Sequence, residues 1–244
     1  MKFHMILQHR YCWFLGILAV MTKQSMAVAA PVTQAFVGLH SPRMVQGVDL
    51  TQAEPAVSVL IDWNSEQNLF AQSECFSSTV DSQAGVSRGC DISLGWFGSL
   101  PTNTGSEQAL SFSLTERIYD SVGSPKNEFG FTSLRADWHL NRLSRVSIEF
   151  APKWFDIDPA LTVSAHRAWR LNDRWKINAT ARWVNVVSNP VSDNVVSAEI
   201  SAVHQQERWT TSFHWWINDN QVNELLPLKT SSSRLGVNLR YQFY

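Results

Sequence analysis

The last stretch of the chain, Leu235-Gly236-Val237-Asn238-Leu239-Arg240-Tyr241-Gln242-Phe243, decides the fold. Apolar or aromatic side chains occupy every second position from Leu235 to Phe243, and polar side chains stand at most of the positions between them. A period of two is typical of a β-strand that has one apolar and one polar face. The same alternation occurs in 174–183 and 145–154, and we find no helical periodicity of any length after residue 29.

The composition excludes several classes of protein. The 244 residues contain 11 Trp and 13 Phe, and only 17% are charged, against about 25% in typical soluble domains. The 20 Lys and Arg residues are matched by 21 Asp and Glu residues, so no basic surface is available to bind nucleic acid. An ordinary cytosolic enzyme and a nucleic-acid partner are therefore both disfavoured.

The N-terminus has the pattern of a secretory signal. Bases without acids in 1–10 precede the uncharged apolar run Tyr11–Met21, and the small residues Ala27-Val28-Ala29 follow. That run is too short to cross the ~30 Å hydrocarbon layer as a helix, which favours cleavage over anchoring. We predict a signal peptide over 1–29 and a mature domain over 30–244.

Export also predicts a disulfide bond. Cys75 and Cys90 are the only cysteines after residue 29, and exported proteins fold in an oxidising compartment. We expect these two residues to be bonded across the loop that they flank.

The length of the alternating segments favours a membrane barrel over a soluble sandwich. The segments are close to the ~9–11 residues that a tilted strand needs to cross a bilayer, whereas soluble strands typically have ~5–6. Tryptophans at segment ends match the aromatic girdles of outer-membrane barrels. The residues assigned to the girdles are Trp154, Trp169, Trp175, Trp183, Trp209 and Trp215.

The predicted fold is all-β, a transmembrane antiparallel up-and-down β-barrel of about twelve strands. The connections between segments are mostly short on one side and longer on the other, as in bacterial outer-membrane barrels, which places both termini in the periplasm. The C-terminal aromatics are expected to be recognised by the barrel-assembly machinery. The predicted segments are 33–46, 55–63, 68–76, 88–97, 108–119, 130–140, 144–154, 160–171, 173–184, 194–204, 207–217 and 232–243.

Short motifs in the first third of the chain resemble the TorF-like porins, an outer-membrane family of unassigned role. The stretch 45–52, Val-Gln-Gly-Val-Asp-Leu-Thr-Gln, is similar to that family's Arg-Gly-hydrophobic-Ser-Gln motif, although Gln46 stands where the family has Arg. Pro55-Ala56-Val57, Asp62-Trp63, Leu69-Phe70-Ala71 and 91–96 are similar to the strands that follow. The resemblance implies a pore or a structural barrel and supplies no catalytic residues.

If the apolar faces contact lipid, the opposite faces line an enclosed interior in which bases outnumber acids. The only acids assigned there are Asp137, Glu149 and Glu199, whereas the outer loops are mainly acidic. A basic wall concentrates anions, but the same arginines would fill the interior if they paired with acids. A twelve-stranded barrel has a backbone diameter of about 24 Å and leaves roughly 10 Å inside the side chains, so an open channel and a filled barrel both stand as alternatives. The predicted pore-lining bases are Arg117, Arg135, Arg145, Lys153, Arg170, Arg174, Lys176, Arg182, Arg234 and Arg240.

These observations predict an outer-membrane channel for passive diffusion of small anionic or zwitterionic solutes, without cofactor or covalent chemistry. A structural or adhesive barrel whose outer loops bind a partner is the main alternative. A lipid hydrolase is a weaker one, because the pairs Ser164/His166 and Ser212/His214 share faces assigned to the lumen. A metal site built from His139, His166 and His214 is weaker still.

Two charged residues disagree with a lipid-facing surface. Glu116 and Arg167 fall on the apolar faces of their segments, where charge is costly at the midplane of the bilayer and tolerated near its boundary. We expect each to lie near a headgroup boundary or to mark a local shift of register.

Overall fold

The fold was obtained as a computed structural model. It describes residues 32–45, 48–51, 54–78, 86–100, 108–121, 128–156, 158–187, 192–219 and 232–243. The predicted signal peptide, 1–29, lies outside these residues, and so do residues 30–31 at the start of the predicted mature domain. Within the described ranges, no helix combines the length and the apolar character needed to cross a membrane.

Twelve strands close into one antiparallel barrel, which confirms the predicted fold class. Each strand pairs with its neighbours along the chain, and β1 closes the barrel against β14, with Phe36 opposite Gln242. The two-residue strands β2 (Met44–Val45) and β3 (Val48–Asp49) form a separate hairpin. The barrel strands are β1 (Val32–Ser41), β4 (Ala56–Asn64), β5 (Leu69–Ser78), β6 (Val86–Leu100), β7 (Gln108–Ser121), β8 (Glu128–Asn141), β9 (Ser144–Ala151), β10 (Ala160–Arg170), β11 (Trp175–Val187), β12 (Ser192–Gln206), β13 (Trp209–Asn218) and β14 (Ser233–Gln242).

Alternation along the strands separates an exposed apolar surface from a buried interior. In β4, Val57, Val59 and Ile61 are 47–50% exposed, whereas Ser58 and Leu60 are buried. Successive side chains of a strand point to opposite faces, so the period of two in the sequence becomes an outside and an inside. Exposed large apolar side chains occur on every barrel strand except β5, and such an apolar outer surface is what a lipid environment requires.

The connections divide the barrel into two ends. Turns at 65–68, 142–143, 171–174 and 207–208 are short, and the connection 101–107 lies at the same end. The opposite end, here called the outer end, carries the connections 79–85, 122–127, 152–159, 188–191 and 219–232. Both β1 and β14 have their free termini at the short-turn end, as the sequence predicted.

The connection between β1 and β4 folds into the barrel, whereas an outer loop over 47–54 was predicted. We call its described part, residues 42–45 and 48–51, the inner hairpin. Val48, Asp49, Leu50 and Thr51 are fully buried. The Leu50 carbonyl accepts a hydrogen bond of 2.8 Å from the Val86 backbone N–H, so the hairpin lies within the outer end.

The sequence placed the end of the first strand too late. β1 ends at Ser41, because the chain then turns inward at Pro42, and the predicted segment 33–46 is therefore wrong beyond this point. Gly236 of β14 makes the turn possible. A Cβ atom at this position would overlap the Ser41 carbonyl oxygen and crowd the Pro42 ring.

Apolar side chains fill the outer half of the barrel interior around this hairpin. Trp154 and Phe155 follow β9 in a short 3-10 turn, Trp154–Asp156, and Trp154 has no exposed surface. Its ring contacts Phe155 at 5.0 Å between centroids, and Phe155 contacts Phe131 at 4.9 Å. The assignment of Trp154 to an aromatic girdle is therefore wrong, because β9 ends at Ala151 and the chain then turns inward. The buried cluster is Val45, Val48, Leu50, Ala56, Phe76, Val86, Tyr119, Phe131, Ala151, Trp154, Phe155, Ala160, Val184, Val186 and Val195.

The other predicted girdle tryptophans lie on the lipid-facing surface, each 36–48% exposed. Trp169, Trp175 and Trp209 stand at strand ends beside the short turns. Trp183 and Trp215 lie nearer to the outer end. Sequence reasoning left out two exposed tryptophans of the same surface, Trp96 and Trp138.

Candidate pore and its lining

The interior between the apolar cluster and the short turns is polar and densely hydrogen-bonded. Its first cluster lies on β7, β8 and β9. Arg117 donates to Glu149 at 3.0 Å and to Ser133 at 2.8 Å, and Ser133 donates to the same Glu149 oxygen at 2.6 Å. The Arg117 guanidinium also lies 4.7 Å from the centre of the Phe131 ring. Glu149 is buried and satisfied by these donors.

The same cluster continues towards the short turns. Arg135 donates two hydrogen bonds to Asp137, its neighbour on the same face of β8, at 2.8 and 3.0 Å. Arg145 of β9 approaches Asp137 to 3.3 Å. Two arginines therefore share one buried carboxylate, and Arg135 also lies 3.7 Å from Glu149.

A second cluster joins the inner hairpin to the wall, and sequence reasoning missed its acids. Glu74 and Asp91 are directly opposite each other on β5 and β6. Arg43 donates to Glu74 at 2.8 Å and to Asp91 at 3.4 Å. Burial disfavours the charge on Arg43, but the Glu74 and Asp91 carboxylates outweigh it and raise the pKa of its guanidinium. Tyr119 donates to Asp91 at 2.8 Å.

The predicted disulfide bond is present and explains the position of these acids. Cys75 and Cys90 are directly opposite each other on β5 and β6, with their Cα atoms 4.1 Å apart. The bond lies on the outer face, so the adjacent residues Glu74 and Asp91 face inward. Pairing the two cysteines in register would have assigned both acids to the lumen from sequence alone.

One further ion pair attaches the inner hairpin to β14, where Arg234 lies 3.3 Å from the buried Asp49 carboxylate. A second pair joins β14 directly to β5, where Arg240 lies 3.4 Å from Glu74. The hairpin is thus attached by ion pairs to β5, β6 and β14.

A third cluster surrounds His214 of β13. Its Nδ1 lies 2.6 Å from Glu199, and its Nε2 lies 2.6 Å from Ser212 Oγ and 3.0 Å from the Asn238 amide nitrogen. The Asn238 side-chain nitrogen can only donate, so His214 Nε2 accepts, and His214 Nδ1 carries the proton that Glu199 accepts. The His214 ring stacks on Trp216 at 4.9 Å.

The predicted pore-lining bases divide into two groups. Arg117, Arg135, Arg145, Arg182, Arg234 and Arg240 face the interior, and Lys176 occupies an inward-facing but exposed position beside the short turns. Three others do not line the wall. Arg170 pairs with Asp173 at 2.8 Å in an exposed turn, Arg174 lies in that turn, and Lys153 is exposed in the connection after β9. Lys153 and Arg174 were assigned wrongly because the alternation was extended past the strand ends, and Arg170 because, as the last residue of β10, it is exposed and turns to Asp173.

The lipid-hydrolase and metal-site alternatives can be compared with the positions of their residues. Ser164 and His166 share the inner face of β10, but His166 bonds to Thr180 at 3.1 Å and not to Ser164. Ser212 is hydrogen-bonded to His214, which in turn bonds to Glu199, yet Ser212 is buried and faces the lumen, away from lipid. Among the described residues, no group of three or more His, Cys, Asp or Glu side chains could hold a metal ion.

The two outward charges both hydrogen-bond to a neighbouring strand. Thr132 donates to Glu116, its direct partner on β8. Arg167 donates to Ser144, its partner on β9, which adjoins the short turn at 142–143. The position of Arg167 fits the predicted headgroup boundary.

Solved structures with the same fold are porins. The KdgM porin aligns with 87% of this chain and 100% of its own, with a TM-score of 0.51 and 11% identity. The KdgM porin in complex with disordered oligogalacturonate aligns over the same fractions of the two chains, with a TM-score of 0.53 and 10% identity. OmpF of Salmonella typhi in complex with daunomycin aligns with 87% of this chain and 97% of its own, with a TM-score of 0.44 and 8% identity.

At these identities the likeness establishes the fold. No protein-family model and no curated protein matches the sequence. The resemblance to TorF-like porins stays a prediction.

Proposed function

We propose that the protein is a narrow outer-membrane channel for passive diffusion of small solutes. A polar interior enclosed by an exposed apolar surface supports this function. The apolar cluster of the outer half makes the path narrow there, and solutes would pass between the inner hairpin and the wall.

The single observation that carries the proposal is the state of Arg182. It lines a polar cavity in the lumen, and among the described residues it has no hydrogen-bond or ion-pair partner. An interior that only fills space pairs its charges, because an unpaired buried charge costs several kcal/mol. An unpaired arginine facing a cavity suits a surface past which solutes move.

The proposed preference for anions is weak. The acids Asp49, Asp62, Glu74 and Asp91 add to the three that the sequence assigned to the lumen, and most lumen arginines are paired with acids. The fixed charge along the path is therefore close to balanced, with a small excess of bases. Zwitterions and small anions are the solutes that this balance favours.

Two further proposals concern biogenesis. Residues 1–29 are removed as a signal peptide, and the barrel-assembly machinery recognises the last strand. The exposed aromatic residue Phe243, just after β14, supports the second proposal.

Planar-bilayer recording tests the channel. Purified protein is expected to give small conductance steps with a chloride-to-potassium permeability ratio slightly above one. Absence of steps under conditions in which a general porin conducts would reject the channel and favour the structural or adhesive barrel. A chloride-selective current that exceeds cation current many-fold would contradict the balanced lumen.

A further inference from the structure

A cavity of about 120 Å³ lies between the inner hairpin and the wall formed by β11 to β14. The hairpin side contributes Pro42, Arg43 and Met44, and the end of β1 contributes His40. The wall side contributes charged and polar groups at the positions where four strands face the same space. These wall residues are Arg182, Glu199, His214, Trp216 and Asn238.

Two opposite charges face the cavity without forming a direct ion pair. Arg182 of β11 is opposite Ser197, and Glu199 of β12 is opposite Thr180, so the two charged residues are diagonal neighbours on one face. No ion pair joins them, and Arg182 has no other partner among the described residues. Arg43, by contrast, already neutralises Glu74 and Asp91.

We propose that this cavity binds a small zwitterion of the amino-acid type. The carboxylate of the ligand accepts hydrogen bonds from the Arg182 guanidinium, and its ammonium group donates to the Glu199 carboxylate. This inference rests on the proposed function, since the site is a point at which a solute crossing the lumen pauses.

The volume of the cavity limits the size of the ligand. At about 30 Å³ per water molecule, 120 Å³ holds about four waters. An engineered apolar cavity of about 150 Å³, slightly larger than this one, holds one benzene molecule. Glycine and L-alanine therefore fit, with the alanine methyl group beside Met44 or Pro42, and phenylalanine does not.

Isothermal titration of the purified, folded protein in detergent micelles tests the proposal with the wild type alone. Glycine and L-alanine are expected to bind, whereas acetate, methylammonium and L-phenylalanine bind at least about tenfold more weakly, since each lacks one charged contact or exceeds the cavity. Acetate binding as tightly as glycine would show a plain anion site and overturn the proposal.

Variants assign the contacts. Arg182→Gln is expected to weaken glycine binding at least about tenfold, and Glu199→Gln to weaken glycine binding while leaving that of acetate unchanged. Arg170→Gln, which removes an exposed arginine outside the cavity, is the matched control and retains wild-type binding. Equal glycine affinity in Arg182→Gln and in the wild type would overturn the assignment.

The same preparations separate this inference from the proposed channel. Conductance without glycine binding up to saturating concentrations would overturn the binding site and leave the channel intact. Glycine binding without conductance would support the site and reject the channel. Heat-dependent migration in SDS gels reports whether each variant is folded.

Discussion

The wall cluster on β7 to β9 and the hairpin cluster at Glu74 and Asp91 satisfy buried charge in different ways. In the wall, arginines and acids stand on neighbouring strands, and the partners are fixed by the register of the sheet. At the hairpin, two acids oppose each other in register, and their cation arrives from a connection outside the sheet. The first arrangement needs only the barrel, and the second also needs the inner hairpin.

This difference predicts different failures. A buried carboxylate in the wall cannot reach water without opening the sheet, so loss of one partner should destabilise the whole barrel. Loss of the cation at the hairpin leaves another route, because the hairpin can withdraw and admit water to both acids. We therefore expect substitutions in the wall cluster to lower the free energy of unfolding, and substitutions at the hairpin cluster to change the permeability.

The largest effect is expected from Glu149→Gln. The substitution leaves Arg117 buried without its carboxylate, and breaking a buried pair costs about 3–5 kcal/mol. Urea unfolding in lipid vesicles, followed by tryptophan fluorescence, should show a loss of about this size in the free energy of unfolding. Glu207→Gln, in an exposed turn, is the control and should be unchanged; equal midpoints for both variants would refute the role of the wall cluster.

Arg43→Met should destabilise less and conduct more. Repulsion between Glu74 and Asp91 is then compensated only in part, by Arg240 beside Glu74, but solvation of the two acids limits the loss to about 2 kcal/mol. Because the inner hairpin loses its main attachment, single-channel conductance should rise. Arg208→Met, which removes an exposed arginine from a short turn, is the control.

The triple variant Arg43→Met, Glu74→Gln, Asp91→Asn sharpens that test. Removing the charges of the acid pair removes the repulsion, so stability should recover relative to Arg43→Met alone. Conductance at the wild-type level in Arg43→Met would show that the hairpin does not narrow the path.

Replacing both Cys75 and Cys90 by serine should have a moderate effect. The bond closes a loop of 15 residues, for which the typical stabilisation is about 2–4 kcal/mol. The bond pins the register of β5 and β6, so we expect a loss of about 2 kcal/mol without a change in conductance. A large rise in conductance would mean that the disulfide, and not Arg43, holds the acid pair in place.

Arg170→Gln should have the smallest effect on stability. Its ion pair with Asp173 is exposed, and such pairs contribute about 0–1 kcal/mol. The unfolding midpoint should match that of the wild type within error. A loss comparable with that of Glu149→Gln would contradict the distinction between paired charges inside and outside the barrel.

The fold could be predicted from local pattern because most pairings join strands that are neighbours in sequence. Alternation in β14, for example, predicts that Arg240 faces inward and Leu239 outward, and its partner β13 is the strand that precedes it in the chain. The ends of strands were less predictable. Alternation continues through Lys153 and Trp154 in the sequence, although β9 has already ended at Ala151.

The lining was only partly predictable because one of its elements is not a strand. No periodicity marks residues 42–51 as interior, and the reversal at Pro42 depends on space left by Gly236, nearly two hundred residues away in sequence. The unpaired state of Arg182 likewise depends on which side chains of β12 and the hairpin reach it. Pairing partners across the lumen are tertiary information that a single strand does not contain.

The inward course of the first connection also changes what the cell presents to its surroundings. A phage, an antibody or a protease approaching the outer end meets the later connections, whereas Val48 to Thr51 are shielded inside the wall. The shape of the lumen therefore limits which side chains fit in this stretch. Substitutions in the later connections can be made without altering the part of the first connection that lies inside the barrel.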